Sequence, residues 1–373
     1  MATPLSSRLT HVSHFFVLRY GAHLTKEQVA QLVAPHPDTL EIVSSWLKHN
    51  GVPLSSVSRT HGGCWLTVAG VPVPQADKLL GASYQLYYHP GTDETILRTA
   101  GYALPEALHA HVKTVAPTTA FTSTRLLQSE EIPRSDSGGA VNATSEEPVN
   151  TTLLRRVPDE LNIVPSMLRS LYKTEGYSPV ATEKNELGVV GHRNVVPSLV
   201  DLFNFMSEFR TDAEPLKSIP IIETINGEVK AQVGQQAGLD VQYSMALAYP
   251  TPVIYYRGSS NGPQAYPNGQ PAPGDQYLQW LDYMLKQPTI PQTISLGYGT
   301  LEPGVPIEYA VPLCHLFAQI GARGTTVLVA SGDAGVGLGD CKNAYGYVEF
   351  YTVFPASCMC GVFYFIIFSP CKL

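Results

Sequence analysis

Apolar and polar residues alternate with two different periods in the first third of the chain. After Tyr20, two short stretches carry apolar residues at helical spacing; the first begins at Thr25, with Gln28 three residues on, and the second ends before Gly51. Thr and Gln at that spacing form a helix-capping pair, and glycine commonly follows a helix end. Strand-like runs and one more helical stretch follow at 64–68, 75–80, 83–88 and 95–102. This pattern predicts a small α+β domain over residues 1–121.

From residue 163, apolar runs that predict strands alternate with amphipathic stretches that predict helices. Strands are predicted at 187–190, 219–223, 253–256, 293–296 and 325–330. Helices are predicted from Ser198 and over 235–248, 276–286 and 307–321. The inner face of the helix after Ser198 should consist of Leu199, Leu202, Phe203, Met206 and Phe209. Strands that alternate with crossover helices predict a parallel sheet covered on both faces. Pro312, inside the last helix, predicts a kink or a broken start.

Residues 122–162, between these two parts, differ in composition. Ser, Thr, Glu, Pro and Gly dominate, and apolar residues are scattered. Such a segment is typical of a flexible linker that proteases can reach. Asn142 and Asn150 each begin a glycosylation sequon there, which suits an exposed segment of a secretory protein.

Composition and charge exclude several classes of partner. The 373 residues suit about two domains, and a hydrophobic fraction of 44% is enough for sizeable cores. The net charge is −7 with 15% charged residues, so no basic face for nucleic acid is indicated. The longest late apolar run, Val362 to Phe368, is far shorter than the ~20 residues of a membrane helix. The first 21 residues lack a charged segment followed by an apolar core, so we expect no signal peptide.

The cysteines, histidines and aromatic residues do not by themselves indicate a metal, catalytic or binding site. The six cysteines lack paired C-x-x-C spacing and nearby histidines, which argues against zinc and allows one or two disulfides: Cys64, Cys314, Cys341, Cys358, Cys360 and Cys371. Three histidines (His109, His111 and His315) could suggest a metal site or a triad, but we interpret them as surface or hydrogen-bonded core residues. Three aromatic residues could line a groove, but such positions on strands and helices usually belong to the core: Tyr255, Tyr256 and Trp280.

The segment 325–341, TTVLVASGDAGVGLGDC, combines a buried strand with a glycine-framed turn. Flanking glycines let such a turn hold one side chain out towards a substrate. That side chain is Ala334, which has no reactive group. Ser331, three residues earlier at the strand end, is not expected to replace a nucleophile, because reacting atoms must lie about 3 Å apart.

Three motifs and the N-terminal region resemble the sedolisins, the serine-carboxyl peptidases that include the tripeptidyl-peptidases. SGDAG resembles their SGDSG signature, QQAGLDVQY their E-x-x-L-D-x-Q-Y, and SLGYGTLE their S-x-S-Y-G-D-x-E. RYGAHLTKEQVAQLVAP, LLGASYQLYYH and YALPEALHAHVKTVAPTTAF resemble their pro-segment. The resemblance implies a subtilisin-like α/β fold, incomplete here, preceded by a ferredoxin-like α+β pro-domain.

The resemblance assigns four catalytic positions, of which this chain keeps one. Asp240 is retained, whereas Gln236 stands at the position of the general-base Glu, Thr300 at that of the oxyanion Asp and Ala334 at that of the nucleophilic Ser. In the family the Glu and Asp lie on one helical face and share a proton, and the oxyanion Asp donates one. Amide, hydroxyl and methyl groups cannot replace all of these functions, so this chain is expected to be inactive or impaired.

The resemblance also implies the domain order, partners and location. It gives a pro-domain at 1–121, a linker at 122–162 and the N-terminal part of a peptidase domain at 163–373, with the likeness ending at 358. We expect a peptide or protein substrate or ligand, pro-domain contact with the catalytic domain, a monomer, and an extracellular or acidic vacuolar or lysosomal location. Full-length relatives are expected to bind calcium; this chain is expected to end, truncated, before those ligands, and to hold no cofactor.

Three alternatives to an acid peptidase remain at this point. The chain could be a pseudopeptidase that holds peptides without cutting them, or its pro-segment could inhibit a paralogous peptidase. It could also fail to fold stably, because its catalytic sheet is expected to lack strands.

Overall fold

The computed structural model describes residues 21–89, 94–119, 163–191, 195–214, 219–225, 232–258, 261–265, 271–273, 276–332, 347, 350, 352–358 and 363–365. The predicted linker and Ala334 lie outside these residues. No helix among the described residues has the length and hydropathy of a membrane span.

The N-terminal unit is a mixture of short helices and antiparallel strands, as predicted. Its elements are α1 (Lys26–Val33), α2 (Pro37–His49), β1 (Val57–Arg59), β2 (Leu66–Val68), α3 (Val73–Leu80), β3 (Gln85–His89) and β4 (Glu94–Arg98). β1 pairs with β2 and β3 with β4, so the described strands form two separate hairpins. Thr25 caps α1: its hydroxyl accepts from the Gln28 amide, and the Gln28 side chain accepts from the Thr25 amide. The predicted capping pair is confirmed.

The second unit is built on a parallel sheet. Its helices are α4 (Pro165–Leu171), α5 (Leu199–Phe209), α6 (Gln235–Ala248), α7 (Gln276–Lys286) and α8 (Ile307–Ala322). Its strands are β5 (Leu187–Gly191), β6 (Val195–Val196), β7 (Ile221–Thr224), β8 (Gln232–Val233), β9 (Val253–Arg257), β10 (Asn261–Ala265), β11 (Pro271–Pro273), β12 (Thr293–Leu296), β13 (Thr300–Leu301), β14 (Thr326–Ala330), β15 (Val353–Phe354) and β16 (Phe363–Phe365). Six of them form the main sheet in the order β16-β14-β12-β5-β9-β7, and every neighbouring pair is parallel.

Helices cover both faces of this sheet, which confirms the predicted α/β class. Alternate residues of β9 enter different cores: Val253 and Tyr255 pack with α5 and α6, whereas Ile254 and Tyr256 pack with α7 and α8. Since side chains on a strand point alternately to its two faces, this division requires a cover on each side.

Two details of the helices differ from the predictions. α8 runs without a break through Pro312, so the broken start is wrong. In α5, Leu202 and Met206 are buried, but Leu199 and Phe203 are 46% and 45% exposed. The buried stripe of α5 is therefore narrower than predicted. Leu202 and Met206 lie on this stripe, where α5 packs against the sheet and the neighbouring helix α6.

A disulfide joins Cys314 in α8 to Cys358, which follows β15. Cys64 is a free thiol. The other three cysteines lie outside the described residues. Because β15 pairs with β13, the disulfide fixes this small ladder against α8.

The N-terminal unit contacts the second unit along α8. The Leu24 amide donates to the Ala322 carbonyl oxygen over 2.9 Å, and Val29 packs against Ala318 and Ala322. Trp65 packs against the core between α7, α8 and the sheet.

Candidate functional site

The carboxyl ends of β12 and β14 meet at one edge of the sheet. The two strands are parallel neighbours, with Leu296 opposite Val329. The segment 297–300 after β12 and Ser331-Gly332 after β14 therefore leave the sheet side by side. In open α/β sheets, ligand sites form at this carboxyl edge. Ser331 is half-buried, and the turn beyond Gly332 lies outside the described residues.

Helix α6 brings Gln236 and Asp240 together. They lie four residues apart, so both side chains project from one helical face. The Gln236 side-chain Nε2 donates a hydrogen bond to Asp240 Oδ1 over 2.8 Å. Both residues are half-buried. An amide at this position can donate to the carboxylate but cannot take up or release a proton at neutral or acidic pH.

Asp240 also lies against the end of β12. A Cβ atom placed on Gly297 would be 3.0 Å from Asp240 Oδ2 and 3.2 Å from Oδ1. Such contacts are possible only because residue 297 has no side chain. The α6 carboxylate therefore sits at the carboxyl edge of the sheet. The signal for Gly297 in the sequence is its place in SLGYGTLE, where the related motif has a serine.

Thr300 is placed at the same edge by backbone pairing. It is 6% exposed and lies in β13, where it pairs with Phe354 of β15. Gly299 permits this approach, since a Cβ there would meet Val353 Cγ1 at 2.4 Å and the Phe354 carbonyl oxygen at 2.9 Å. The Thr300 side chain is thus more buried than those of Gln236 and Asp240.

Tyr255 lies in the electrostatic field of Asp240, a relationship that the sequence did not reveal. Tyr255 is fully buried in β9, and its hydroxyl donates to the Val195 carbonyl oxygen over 3.1 Å. Burial raises the pKa of Tyr255, and the charge of Asp240 raises it further. A Cβ on Gly191 would lie 2.0 Å from the Tyr255 hydroxyl oxygen, so glycine is required beside the ring. Tyr255 remains a neutral hydrogen-bond donor beneath α6.

The histidines singled out in the sequence do not gather at this edge. His109 bonds the Leu104 carbonyl and His111 bonds the Thr39 hydroxyl, both within the N-terminal unit, while His315 is exposed on α8. Tyr256 and Trp280 are core residues, 4% and 1% exposed. These interpretations are confirmed.

The described residues do not provide a calcium site. No three His, Cys, Asp or Glu side chains among them cluster as metal ligands would. The sequence from 359 to 373 contains no Asp or Glu, the residues that calcium prefers. Among the residues that the structure describes, no side-chain cluster therefore fits the calcium ion expected of full-length relatives.

Comparison with known proteins places the chain beside one group of peptidases. Residues 2–121 match the family model "Pro-kumamolisin, activation domain". Over 354 residues the chain is 30% identical to tripeptidyl-peptidase SED2 of Arthroderma otae, covering 91% of this chain and 57% of that protein. It is 29% identical over 351 residues to the probable tripeptidyl-peptidase SED3 of Trichophyton verrucosum, covering 91% of this chain and 56% of that protein.

The chain thus spans a little over half the length of the curated relatives it matches. Among solved structures, a Pseudomonas sedolisin, a serine-carboxyl proteinase complexed with two molecules of pseudo-iodotyrostatin, overlaps 54% of this chain and 52% of its own. The TM-score is 0.37 and the sequence identity is 20%.

Proposed function

Because this chain belongs to the sedolisin family of serine-carboxyl peptidases, we propose that it is a peptidase homologue that has lost hydrolytic activity. Its ancestral reaction is serine-type cleavage of peptides or proteins at acidic pH. The observation that carries the proposal is the 2.8 Å hydrogen bond from Gln236 Nε2 to Asp240 Oδ1. A general base must accept a proton from the nucleophile, and this amide has no basic site for it.

Two further positions support the loss of activity. Ala334 offers no hydroxyl to attack a carbonyl, and Thr300 offers a hydroxyl where an acid would donate a proton. Removing the serine machinery of a peptidase leaves only ~10³- to 10⁴-fold catalysis over water, and losing one oxyanion donor costs a further ~10²- to 10³-fold. These losses together bring the rate close to that of the uncatalysed reaction.

The test is hydrolysis of a tripeptide-amide substrate by the purified chain across acidic and neutral pH. We expect the rate to equal the buffer rate and to be unchanged by Asp240→Ala. Acid-pH hydrolysis that Asp240→Ala abolishes would overturn the proposal. A companion variant restores the three family residues together, as Gln236→Glu, Thr300→Asp and Ala334→Ser. Its rate of hydrolysis of the same substrate measures how much activity the rest of the site can support.

Loss of hydrolysis leaves a binding function as the second candidate. We propose that the N-terminal unit recognises a peptidase surface like that of α8. Three of its residues, Leu24, Val29 and Trp65, already contact the second unit of this chain. Nanomolar inhibition of an active tripeptidyl-peptidase by the segment 20–121 would support this function. Absence of inhibition at micromolar concentration would exclude it.

We further propose the domain division 1–121, 122–162 and 163–373, and an extracellular or acidic vacuolar or lysosomal location. The Cys314–Cys358 disulfide supports an oxidising compartment, since disulfides are rare in the cytosol. The sequons at Asn142 and Asn150 agree with it. The measurement that checks the location and the use of the sequons is the mass of the secreted protein before and after treatment with a glycosidase.

A further inference from the structure

A cavity of about 310 Å³ lies between the N-terminal unit and the first turn of α8. The N-terminal unit lines it with Tyr102 and with residues 114–116, 118 and 119, and the second unit lines it with Pro306, Glu308 and Tyr309. Sites for small molecules typically have volumes of about 300–1,000 Å³. The cavity is therefore large enough for a small ligand that touches both units.

The cavity is close to the carboxyl edge of the sheet but separate from the candidate catalytic residues. Helix α8 connects the carboxyl end of β12 to the amino end of β14, so it begins on the carboxyl side of the sheet. It packs on the face opposite to α6, the helix that carries Gln236 and Asp240. None of the four catalytic positions belongs to the described lining. A ligand in this cavity would thus be independent of hydrolysis.

Hydroxyl groups dominate the lining. Five of its nine described residues carry one: Tyr102, Thr114, Thr118, Thr119 and Tyr309. Thr118 is 4% exposed, and its hydroxyl donates to the Val115 carbonyl oxygen over 2.6 Å. The Tyr102 hydroxyl oxygen accepts from the Val115 amide over 3.3 Å. These bonds position both hydroxyls, and since a hydroxyl can donate one bond and accept two, one such bond exhausts neither of them.

The charges at the cavity favour an uncharged ligand. Glu308 carries the one formal charge among the described lining residues, and its carboxylate would repel an anion. The first turn of α8 presents the positive end of a helix dipole, and Pro306 at its N-cap supplies no capping side chain, so a cation is disfavoured as well. An uncharged ligand with hydroxyl groups avoids both costs and can still donate a hydrogen bond to Glu308.

Aromatic rings and small apolar groups complete the lining. Tyr102 and Tyr309 contribute one ring from each unit, and Val115, Ala116 and Pro306 contribute aliphatic surface. Tyrosine combines an apolar ring with a polar hydroxyl. A sugar has the same dual character, because its hydroxyls project from the edge of a ring whose faces carry C–H groups.

We propose that this cavity binds an uncharged saccharide and that the bound sugar holds the two units together. Because both units line the cavity, the sugar binds the docked arrangement and not the separated one. It therefore stabilises the contact between the units by a factor of 1 + [L]/Kd. Two sources supply this chemistry: a free saccharide, and a glycan attached to a protein, such as one at Asn142 or Asn150 of this chain.

Hydrogen exchange of the Leu24 amide tests the proposal. This amide donates to the Ala322 carbonyl oxygen, so its exchange rate reports the contact between the units. We would titrate the full chain, after glycosidase treatment, with three sugars that differ in charge: N-acetylglucosamine is neutral, glucosamine is a cation and glucuronate is an anion. At about pH 6 an amine of this kind is protonated and a carboxylic acid is ionised. Amides of β12 report global unfolding in the same samples.

N-acetylglucosamine should slow Leu24 exchange about tenfold at a concentration about ten times its Kd, without a matching change in β12. It should also bind more tightly than either charged sugar. No effect of N-acetylglucosamine, an equal effect on β12, or equal or tighter binding of glucosamine or glucuronate would overturn the proposal.

Three variants locate the effect. Ala116→Phe fills the cavity and should abolish the slowing, and Glu308→Ala removes the carboxylate and should weaken binding severalfold. Glu41→Ala removes an exposed carboxylate on α2 and should behave as wild type. Protection of Leu24 and β12 without sugar shows that each variant is folded and docked. Unchanged binding in both Ala116→Phe and Glu308→Ala would exclude the cavity as the site.

The secreted chain before glycosidase treatment identifies the source of the sugar. Slower Leu24 exchange before treatment than after it would assign the site to a glycan attached to this chain. Equal rates, together with binding of N-acetylglucosamine, would assign it to a saccharide that comes from outside the chain.

Discussion

The amide of Gln236 donates to the carboxylate of Asp240, and that carboxylate in turn occupies the space beside Gly297 that a side chain there would need. The first contact spans 2.8 Å, and the second leaves no more than 3.0 Å between Oδ2 and a Cβ placed on the glycine. Residue 236 thus decides whether the pair can hold a shared proton, and residue 297 decides where the carboxylate can lie. Both consequences are measurable without any catalytic assay.

Gln236→Glu should make stability depend on pH. Two carboxylates at hydrogen-bond distance cannot both ionise without repulsion, so the pKa of one rises above its ordinary value. The stabilising shared proton is present at acidic pH and is lost as pH rises through that raised pKa. We expect the variant to match the wild type near pH 4 and to be less stable by about 1 kcal/mol, or about 2–4 °C in Tm, at pH 7.

The matched control for this substitution is Gln235→Glu. Gln235 is exposed and precedes Gln236 in α6, so the variant carries the same added charge without facing Asp240. Thermal melts of both variants across pH 4 to 7 make the comparison. The same pH profile in both variants would mean that proximity to Asp240 has no effect.

Gly297→Ala should cost stability only while Asp240 is present. The new methyl group would meet the Asp240 oxygens at 3.0 and 3.2 Å, so the carboxylate must move and the bond from Gln236 must lengthen. We expect a loss of about 1–3 kcal/mol, as is usual for overpacking. In an Asp240→Ala background the same substitution should cost less by at least about 0.5 kcal/mol.

Urea unfolding of the four proteins in this double-mutant cycle gives the coupling energy. Additive effects of Gly297→Ala and Asp240→Ala would contradict the proposed contact between them.

Local signals made most of the second unit predictable, whereas contacts between distant residues did not leave a readable pattern. The α6 and α7 boundaries match the predicted ones, because Gly234 precedes α6 and apolar spacing defines both helices. These boundaries depend on periodicity and turn chemistry within about 20 residues. The side-by-side placement of 297–300 and Ser331 depends instead on which strands are neighbours, and the apolar pattern does not give the strand order.

The features that could not be predicted depend on which distant segments pack against each other. The partner of Cys314 is 44 residues away, and six cysteines allow many pairings. The exposure of Leu199 and Phe203 reflects how narrow a stripe of α5 the sheet and α6 cover. The Gly191–Tyr255 contact joins two neighbouring strands that are far apart in the sequence, so no local pattern marks it.

Removal of the disulfide should destabilise the second unit substantially. Cys314 and Cys358 are 44 positions apart in the sequence, a separation for which loop-closure entropy predicts about 4 kcal/mol, with 2–4 kcal/mol typical of measured cases. Cys314→Ser or a reducing agent should therefore lower the Tm by several degrees. Cys64→Ser serves as the control, because Cys64 is not bridged and its substitution removes no cross-link. Equal shifts for Cys314→Ser and Cys64→Ser would show that the bridge does not contribute.

Gly324→Ala should weaken the contact between the two units. Gly324 has φ +97°, a conformation that costs other residues about 1–2 kcal/mol, and an added Cβ would lie 2.6 Å from Cδ2 of His23 in the N-terminal unit. The variant should lose stability by at least that amount. The Leu24 amide, which donates to the Ala322 carbonyl oxygen across the same contact, should exchange its hydrogen faster at neutral pH. Gly238→Ala provides a control of opposite sign: Gly238 lies within α6 with no atom within 4 Å of the added Cβ, so alanine should stabilise by about 0.5–1 kcal/mol. If Gly324→Ala leaves both the Tm and the Leu24 exchange rate unchanged, His23 and Gly324 are not in contact in solution, and other residues must hold the two units together.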